Sequence, residues 1–574
     1  MFLPFQRQHQ DPSYKLKDMS APVLAGRTLI VLTHILENSA LLRKLVMLVN
    51  NMYSLRRKKM QNPPAMLPTA HHKYLQAERQ KQAEQQNCDL KEFYMSPQVR
   101  ETNGGFCDVK ALHQSYQQGR TDPYGIAQAI LQEIKNEATR KGSLHAIASY
   151  DADRLLAAAE ASKQRIKVGE PLSLLDGVPI IIKSDFHVQG LSSSVGTSFL
   201  ELACDAPEAT SVARLRDAGA LIIATSQMHE IGIGVTGANV HFGAARNPYD
   251  LKRHTGGSSS GTAAAVASGL CPIGVGSDGG GSVRIPASLC GLVGLKTSFG
   301  RLSSYGSFPS CNSVCQSGVL ATNALDCALA YQVMAGMDER DQTSIHQPEP
   351  SLRNFTNIDD LSDLKAGFYP AWFYHSDPEL AELCMQFLKT LQSKGLHLQE
   401  LVVPELEEVR VAHFNTIAPE MHSALKPYLS EHRSKLSYPT RIRLALASQT
   451  SSLDYLQAQR IRYRAIKNLE EIFSLVDFLV CPSSAIVAPL IREENMDHDE
   501  LDNFQMGQLM RFSQLHNLTG VPSISIPAGY TRQGLPVGIQ FASRWWAEAD
   551  LLRMAHAAEQ LVTKKLPGTY WKAF

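Results

Sequence analysis

Helical and strand-like spacings of apolar residues alternate along most of this chain. DPYGIAQAILQEI (122–134) and DADRLLAAAEASKQRI (151–166) place apolar residues at helical intervals. Continuous apolar segments predict strands, and the first two of them are typical of strands buried on both faces: GVPIIIK (177–183), LIIAT (221–225), VDFLVCPSS (476–484), VPSISIPAGY (521–530) and GLPVGIQF (534–541). Because strands and helices interleave from about residue 120 to about residue 560, the pattern predicts one large α/β domain.

The N-terminal part has a different character. TLIVLTHILENSALLRKLVMLV (28–49) is strongly apolar, but Glu37, Arg43 and Lys44 interrupt it, and RRKK follows at 56–59. A spanning helix needs about 20 nearly uncharged residues, and charges within the span are costly. The segment therefore predicts an amphipathic helix on a membrane surface, with basic residues near anionic lipid, or a helix docked on the body of the protein. A cleaved signal is disfavoured because the apolar part begins late.

Composition narrows the choice of partners. The chain has 574 residues, 44% of them hydrophobic and 19% charged, with a net charge of +1. No overall field selects nucleic acid or acidic partners. The ten cysteines are scattered, and Cys311 and Cys315 have no neighbouring Cys/His set that completes a zinc pattern. We expect reduced thiols in a protein that faces the cytosol.

Three glycine-rich patterns suggest chemistry that their context excludes. GLVGLKTS (291–298) has the wrong glycine spacing for a P-loop, and GVGSDG (274–279) is not followed by the helix that a dinucleotide site needs. GSSSG (257–261) fits G-x-S-x-G with Ser259 as nucleophile. That elbow needs a preceding strand, and YDLKRHTGG (249–257) predicts none.

Two serine-containing loops remain, GGSSSG (256–261) and DGGGS (278–282). One helix and one short strand separate them, so both loops should reach the same end of a layer. Successive N–H groups in a glycine turn form an anion site, and beside a serine hydroxyl they form an oxyanion hole. The sequence therefore predicts acyl transfer at a serine.

A nucleophilic serine needs a base, and Lys183 at the end of VPIIIK is a candidate. A lysine buried without a fixed anion has a lowered pKa, and its neutral amine can accept a proton, as in Ser-Lys variants of the serine mechanism. Considered alone, Lys183 is better explained as the solvent-facing end of its strand. The residues by themselves leave the base open.

LDGVPIIIKSDF (175–186) and HTGGSSSG through KTSFGR (254–301) resemble the amidase signature family. The resemblance implies that Ser282 is the acyl-accepting nucleophile, that Ser258 is a bridging serine after a cis peptide, and that Lys183 is the base acting through Ser258. It also implies an oxyanion hole made by Gly279, Gly280, Gly281 and the Ser282 N–H. Ser184-Asp185 follows Lys183 where many relatives place an acid directly, and this leaves the base role intact.

From about Asp122 onward the chain resembles the plant-type fatty acid amide hydrolases of that family. The supporting segments lie far from the signature, at 402–413, 434–441, 509–530 and 534–552. The resemblance implies a single large amidase-signature domain, a mixed twisted β-sheet covered by helices, at 96–574, preceded by an N-terminal helical extension at 1–95.

The same resemblance implies a serine hydrolase that cleaves N-acylethanolamines and related acyl amides through an acyl-enzyme, with no cofactor and no metal. Its expected partners are a small-molecule lipid amide, a membrane surface and a second copy of the chain, with no nucleic acid. We expect a membrane-associated protein facing the cytosol, at the endoplasmic reticulum or plasma membrane, and not secreted. The alternatives are a glutamyl-tRNA amidotransferase component that frees ammonia from glutamine, an aryl or indoleacetamide hydrolase, and an inactive relative that binds lipid.

Other polar and aromatic residues have simpler interpretations. Asp278 and Arg284 flank the glycine turn and should brace it by hydrogen bonds. Met228-His229-Glu230 either lines a pocket or begins a helix after the strand at 221–225. The pair Trp545-Trp546 predicts internal packing or an intermolecular contact.

Overall fold

The computed structural model describes residues 11–19, 22–69, 72–85, 87–95, 104–140, 142–202 and 206–572. Its strands are β1 (Leu24–Ala25), β2 (Ile147–Ser149), β3 (Pro179–Lys183), β4 (Leu221–Ser226), β5 (Arg246–Asn247), β6 (Asp250–His254), β7 (Ile273–Asp278), β8 (Val293–Lys296), β9 (Gln316–Ala321), β10 (Lys365–Phe368), β11 (His397–Glu400), β12 (Phe478–Pro482), β13 (Glu500–Leu501), β14 (Ser523–Tyr530) and β15 (Pro536–Ser543).

Helices connect and cover these strands. They are α1 (Gly26–Asn38), α2 (Ala40–Val49), α3 (His72–Glu84), α4 (Leu90–Met95), α5 (Val109–Gln117), α6 (Pro123–Thr139), α7 (Ala152–Val168), α8 (Thr210–Asp217), α9 (Ser260–Ala267), α10 (Arg284–Leu289), α11 (Ala324–Met334), α12 (Pro370–Phe373), α13 (Pro378–Gln392), α14 (Leu406–Leu425), α15 (Leu429–His432), α16 (Tyr438–Ala447), α17 (Ser452–Leu475), α18 (Asn503–Met510), α19 (Gln514–Thr519) and α20 (Glu548–Glu559).

A mixed sheet organises the molecule. Within the described ranges it contains eleven strands in the order β11-β10-β12-β15-β14-β8-β9-β7-β3-β4-β2. Strand β3 runs parallel to both β4 and β7, whereas β9, β8 and β14 follow in antiparallel pairs. All residues of β3, β4 and β7 are buried, as the continuous apolar segments predict. The predicted α/β fold is confirmed.

Local signals start the helices where the pattern places them. Asp122 and Asp151 cap α6 and α7, each accepting a backbone N–H from the first turn, at 2.8 Å and 3.0 Å. Pro123 stands in the first turn of α6, where a missing N–H costs nothing. One expectation is wrong: β6 precedes GSSSG. It pairs with β5 in a separate antiparallel ribbon, and its partly exposed polar side chains hide it from a search for buried strands.

The apolar segment 28–49 forms two helices rather than one, because Ser39 ends α1 and caps α2. Leu29 and Leu36 of α1 pack with Ile442 of α16. Glu37 receives hydrogen bonds of 2.9 Å and 2.6 Å from the Arg441 guanidinium, so an apparent interruption is an attachment point. The segment therefore docks on the body of the protein.

The opposite face of this helical pair is apolar and open to solvent. Its exposed side chains, which we call the hairpin face, are Val31, Ile35, Leu41, Leu42, Leu45, Leu48 and Val49. No helix in the described ranges has both the length and the apolar character needed to cross a membrane. The boundary placed between 95 and 96 adjoins residues 96–103, which lie outside the described residues, so that division stays a prediction.

Two smaller expectations can be compared with the structure. Trp545 is buried, its indole N–H donates to the Thr519 carbonyl at 3.0 Å, and its ring contacts Tyr74 of α3, so its role is internal packing. Nine cysteines are free thiols, and Cys204 lies outside the described residues.

Candidate active site

Lys183 ends β3 inside the molecule, not at its surface. Its side chain is 1% exposed because β4 and β7 flank the strand and helices cover both faces. The amine Nζ lies 2.9 Å from Ser258 Oγ and 2.6 Å from Ser277 Oγ. The alternative that Lys183 marks a solvent-facing strand end is therefore wrong.

A carboxylate also faces this amine. Asp185 Oδ2 lies 3.0 Å from Lys183 Nζ and accepts a hydrogen bond of 2.5 Å from Ser277 Oγ. The chain turns directly after β3, with the Phe186 N–H donating to the Lys183 carbonyl, and this turn brings Asp185 back to the amine. The expectation that Lys183 is buried without a fixed anion is wrong.

The hydrogen-bond inventory leaves one variable proton. The Ser277 hydroxyl donates to Asp185, so its oxygen can only accept from Lys183, and the Asp185 carboxylate likewise accepts. Two N–H bonds of Lys183 are thereby fixed. The third direction meets Ser258 Oγ, which can accept from an ammonium or donate to a neutral amine. Proton exchange is thus confined to the pair Lys183–Ser258.

Ser258 lies in the turn that leads into α9. The Gly257–Ser258 peptide is cis, as the resemblance implies. The next residue, Ser259, is fully buried, and its hydroxyl is directed at the Ser277 carbonyl at 3.4 Å. Ser259 therefore does not face the cavity, which agrees with the exclusion of the G-x-S-x-G interpretation.

The glycine turn after β7 carries Ser282. Gly281 has φ of +114°, and a Cβ there would stand 2.5 Å from Ile285 Cδ1 and 2.6 Å from Ser513 Oγ. Only glycine fits this backbone without displacing its neighbours. The turn brings Ser282 close to the α9 loop, where the Ser259 N–H donates to the Ser282 carbonyl at 3.3 Å.

A buried ion pair braces the turn, as predicted. Asp278 accepts two hydrogen bonds of 3.0 Å from the Arg284 guanidinium, and both side chains are fully buried. Asn517 adds a bond of 2.7 Å to the Asp278 carbonyl. Burial opposes ionisation of Asp278, but the charges of Arg284 and Lys296 and the hydrogen bonds outweigh it and hold its pKa well below the ordinary value.

The brace changes the predicted oxyanion hole. The Gly281 N–H donates to Asp278 Oδ1 at 2.7 Å, so it is not free to bind a substrate oxygen. Among the described residues, no acceptor is paired with the N–H of Gly279, Gly280 or Ser282. These three donors remain for a developing oxyanion.

His413 of α14 is a functional residue that the sequence did not single out. Its Nε2 lies 2.8 Å from the Gly279 carbonyl and fixes the first glycine of the turn. Burial lowers its pKa to about 4, so the ring is neutral and Nε2–H donates. The only signal was its place at the end of VVPELEEVRVAH (402–413), a segment noted for its resemblance alone.

The predicted residues meet at one end of a cavity of about 160 Å³, where its wall contains Lys183, Ser258, Gly279, Gly280 and Ser282. Apolar side chains cover much of the rest: Val46, Met47, Phe414, Ile417, Met421, Ile442, Leu444, Met506 and Met510. The hydroxyls of Ser258 and Ser282 form no hydrogen bond with each other in this structure. Across the described residues, no group of three His, Cys, Asp or Glu side chains is arranged to hold a metal ion.

Comparison with known proteins identifies the family. The amidase family model matches residues 128–552. The fatty acid amide hydrolase of Medicago truncatula is 40% identical over 467 residues, covering 80% of this chain and 77% of that protein. The A-type component of the glutamyl-tRNA(Gln) amidotransferase of Cyanothece sp. is 30% identical over 477 residues, covering 79% of this chain and 97% of that protein.

A solved structure agrees with these sequences. The native peptide amidase of Stenotrophomonas maltophilia superposes with a TM-score of 0.67 at 25% identity, covering 81% of this chain and 99% of that chain. The chain belongs to the amidase family, the amidase-signature enzymes, as its sequence predicts. It is an amide-hydrolysing enzyme.

The variant Asp278→Asn tests the brace. Asparagine keeps the shape but leaves the buried Arg284 charge without its partner, so we expect a loss of about 3–5 kcal/mol in the free energy of unfolding. Because the pKa of Asp278 is lowered in the folded state, its charge stabilises the protein above the ordinary carboxyl pKa, and this contribution is lost as pH falls through the folded value.

Denaturant unfolding of both proteins across the pH range measures this difference. It should stay constant between about pH 5 and about pH 8 and shrink only below about pH 4. A difference under about 1 kcal/mol at neutral pH would contradict a structural role for the charge.

Proposed function

We propose that this enzyme hydrolyses long-chain acyl amides, N-acylethanolamines among them, through Ser282, Ser258 and Lys183. The hydrogen bond between Lys183 Nζ and Ser258 Oγ carries this proposal, because it lies at the end of a largely apolar cavity beside three main-chain N–H groups without acceptors. The relative from Medicago truncatula, named for the hydrolysis of fatty acid amides, supports the substrate class.

The reaction begins with attack by Ser282 Oγ on the amide carbonyl. Its proton passes to Ser258 Oγ as the Ser258 proton passes to Lys183 Nζ, along the variable hydrogen bond. This step requires Ser282 to reach Ser258, and such contacts commonly close only when substrate is bound. The carbonyl oxygen becomes negative and accepts from the N–H groups of Gly279, Gly280 and Ser282.

Collapse of the tetrahedral species breaks the C–N bond. The same relay returns a proton through Ser258 to the leaving nitrogen, which is essential because an amide nitrogen departs poorly as an anion. Water then attacks the acyl-Ser282 ester by the reverse path and releases the fatty acid. Asp185 and Ser277 act as positioning residues, since they hold two N–H bonds of Lys183 and leave the third aimed at Ser258.

The apolar wall supports a hydrocarbon acyl group. Met47 of α2, Ile417 and Met421 of α14 and Leu444 of α16 line the cavity from separate elements. A glutamine amidase has no use for such a wall, because its acyl portion is short and polar. The glutamyl-tRNA(Gln) amidotransferase relatives nevertheless make glutamine the second candidate substrate. Aryl and indoleacetamide substrates remain an alternative within the same wall.

We also propose that the hairpin face lies on a membrane. Exposed apolar patches of this kind mark interaction surfaces, and α2 carries both the exposed Leu45 and Leu48 and the cavity residues Val46 and Met47. A lipid amide leaving the bilayer would thus enter next to the catalytic cavity. A cytosol-facing membrane location and a homodimer, both expected from the resemblance, are part of this proposal.

Substitution of the nucleophile tests the chemistry. Ser282→Ala and Lys183→Ala should each lower kcat/KM for oleamide by at least about a thousandfold while the thermal unfolding midpoint stays near that of the wild type. Wild-type protein should react with a fluorophosphonate and should hydrolyse oleamide much faster than glutamine. Retained activity in Ser282→Ala would remove Ser282 as nucleophile, and a preference for glutamine would favour the second candidate.

Asp185→Asn tests the positioning role. Loss of the carboxylate charge makes the ammonium form of Lys183 less favourable, so the acidic limb of the kcat/KM profile should move toward lower pH. Ser277→Ala is the matched variant, because it removes an uncharged partner of the same amine and should lower kcat without that displacement. Identical profiles for wild type and Asp185→Asn would refute the assignment.

The hairpin face can be tested with paired leucines. Leu45→Ser with Leu48→Ser should weaken binding to phospholipid vesicles by at least about tenfold, because each leucine loses up to about 1.5–3 kcal/mol of apolar burial. The control combines Leu453→Ser with Leu475→Ser, which are 56% and 61% exposed against 51% and 55% for the hairpin pair. Equal vesicle binding by both double variants, measured by flotation, would reject the hairpin as the membrane contact.

A further inference from the structure

One cation in the wall of the active-site cavity has no ion-pair partner among the described residues. Arg443 of α16 lines this cavity and also a second cavity of about 20 Å³ behind it. Its Nε and Nη1 are buried and form no hydrogen bond. By contrast, Lys183 has Asp185 at 3.0 Å, and Arg410, also in the wall, has Glu407 at 2.7 Å. Of the cations that line this cavity in the described ranges, Arg443 alone lacks an ion pair.

The nearest acids are already engaged. Glu230 and Asp499 are the carboxylates whose charges act on Arg443, but neither pairs with it. Glu230 accepts hydrogen bonds of 2.7 Å each from the His241 ring and the Ser437 hydroxyl. Asp499 accepts the Glu500 N–H at 2.8 Å, and burial raises its pKa to about 6. A guanidinium enclosed without an acceptor is costly, so an acceptor from outside the chain is expected to meet it.

The position of Arg443 relates it to the amine side of the substrate. Ser258 returns a proton to the leaving nitrogen, so the amine portion must lie on the side of Ser258. The loop from His229 to Val235 covers that side: the His229 N–H donates to the Ser258 carbonyl at 3.1 Å, and a Cβ on Gly232 would stand 3.3 Å from Ser258 Oγ.

The same loop leads to Arg443. Its last residue, Val235, lines both cavities, as Arg443 does, and His229 lines the second. Burial lowers the pKa of His229 to about 3, and the charges of Arg443 and Lys183 add to this effect, so both cations lie near the one neutral ring. Arg443 therefore lies beyond the scissile bond on the leaving-group side, away from the apolar wall of α14.

We propose that Arg443 binds an oxygen acceptor at the far end of the amine portion, and that long-chain N-acyl amino acids, which carry a carboxylate there, are a substrate class of this enzyme. This rests on the proposed function. A guanidinium is the side chain best suited to a carboxylate, because its planar donors match the two oxygens.

The chemistry is that of the neutral amides. The amide C–N bond breaks, Ser258 protonates the nitrogen, and the amino acid departs with its carboxylate still ionised. The oxygen of water then bonds to the acyl carbon, and the fatty acid leaves Ser282. Arg443 is a specificity residue in this scheme, since it contacts the substrate but not the reacting atoms.

A pair of nearly isosteric substrates tests the proposal. N-oleoylglycine carries the carboxylate, and N-oleoylglycinamide replaces it with a neutral amide. Arg443→Gln should lower kcat/KM for N-oleoylglycine about 10- to 100-fold, mainly through KM, because hydrogen bonds to charged groups contribute about 1.5–3 kcal/mol. The value for N-oleoylglycinamide should change less than about threefold. Arg443→Lys, which keeps the charge, should recover part of the loss.

Arg410→Gln is the matched control, because it removes the ion-paired cation of the same wall and should leave the ratio of the two substrates unchanged. Equal losses for both substrates in Arg443→Gln would overturn the proposal, as would a wild-type enzyme that cleaves N-oleoylglycinamide but not N-oleoylglycine. If Arg443→Gln fails to fold, the ratio in Arg443→Lys and the wild-type preference decide. A wild-type protein that cleaves no oleoyl amide and resists the fluorophosphonate contradicts the proposed function instead.

Discussion

The site depends on a lysine amine held inside the sheet by oxygen partners in three directions. Lys183 can be there because β3 is flanked by two parallel strands and covered on both faces, which removes water from the end of the strand. An amine in such a place must be satisfied by the protein, and Ser258, Ser277 and Asp185 do so. Since two of these partners accept only, the third contact becomes the path for a proton.

The glycine turn beside it follows the same logic with the opposite charge. Asp278 is buried and therefore needs donors, which Arg284, Asn517 and the turn itself supply. By taking the Gly281 N–H, it fixes the turn in a shape that leaves neighbouring N–H groups without acceptors in the described part of the chain. A rigid set of unused donors beside a serine is what stabilises a developing oxyanion, because no reorganisation is needed when the charge appears.

The N-terminal helices connect this site to the surface of the molecule. Attachment through Glu37 and Arg441 places α2 so that one face lines the cavity while the other exposes leucines. One short helix thus borders both the catalytic space and the hairpin face. The same α16 that anchors the N-terminal helices also carries Arg443, so the proposed acyl and amine ends of the cavity are built on shared elements.

Local patterns in the chain suffice to predict the α/β alternation, the buried strands β3 and β4, the brace of Asp278 and Arg284, and the family. These follow from periodicity, from turn chemistry and from a long signature within 254–301. What surrounds each polar group depends instead on tertiary packing. Asp185 reaches Lys183 through a turn, the Gly281 N–H is taken by Asp278, and His413 arrives from a helix 134 residues away in the chain. Buried groups find their hydrogen-bond partners on whichever elements pack against them, and periodicity carries no record of those distant partners.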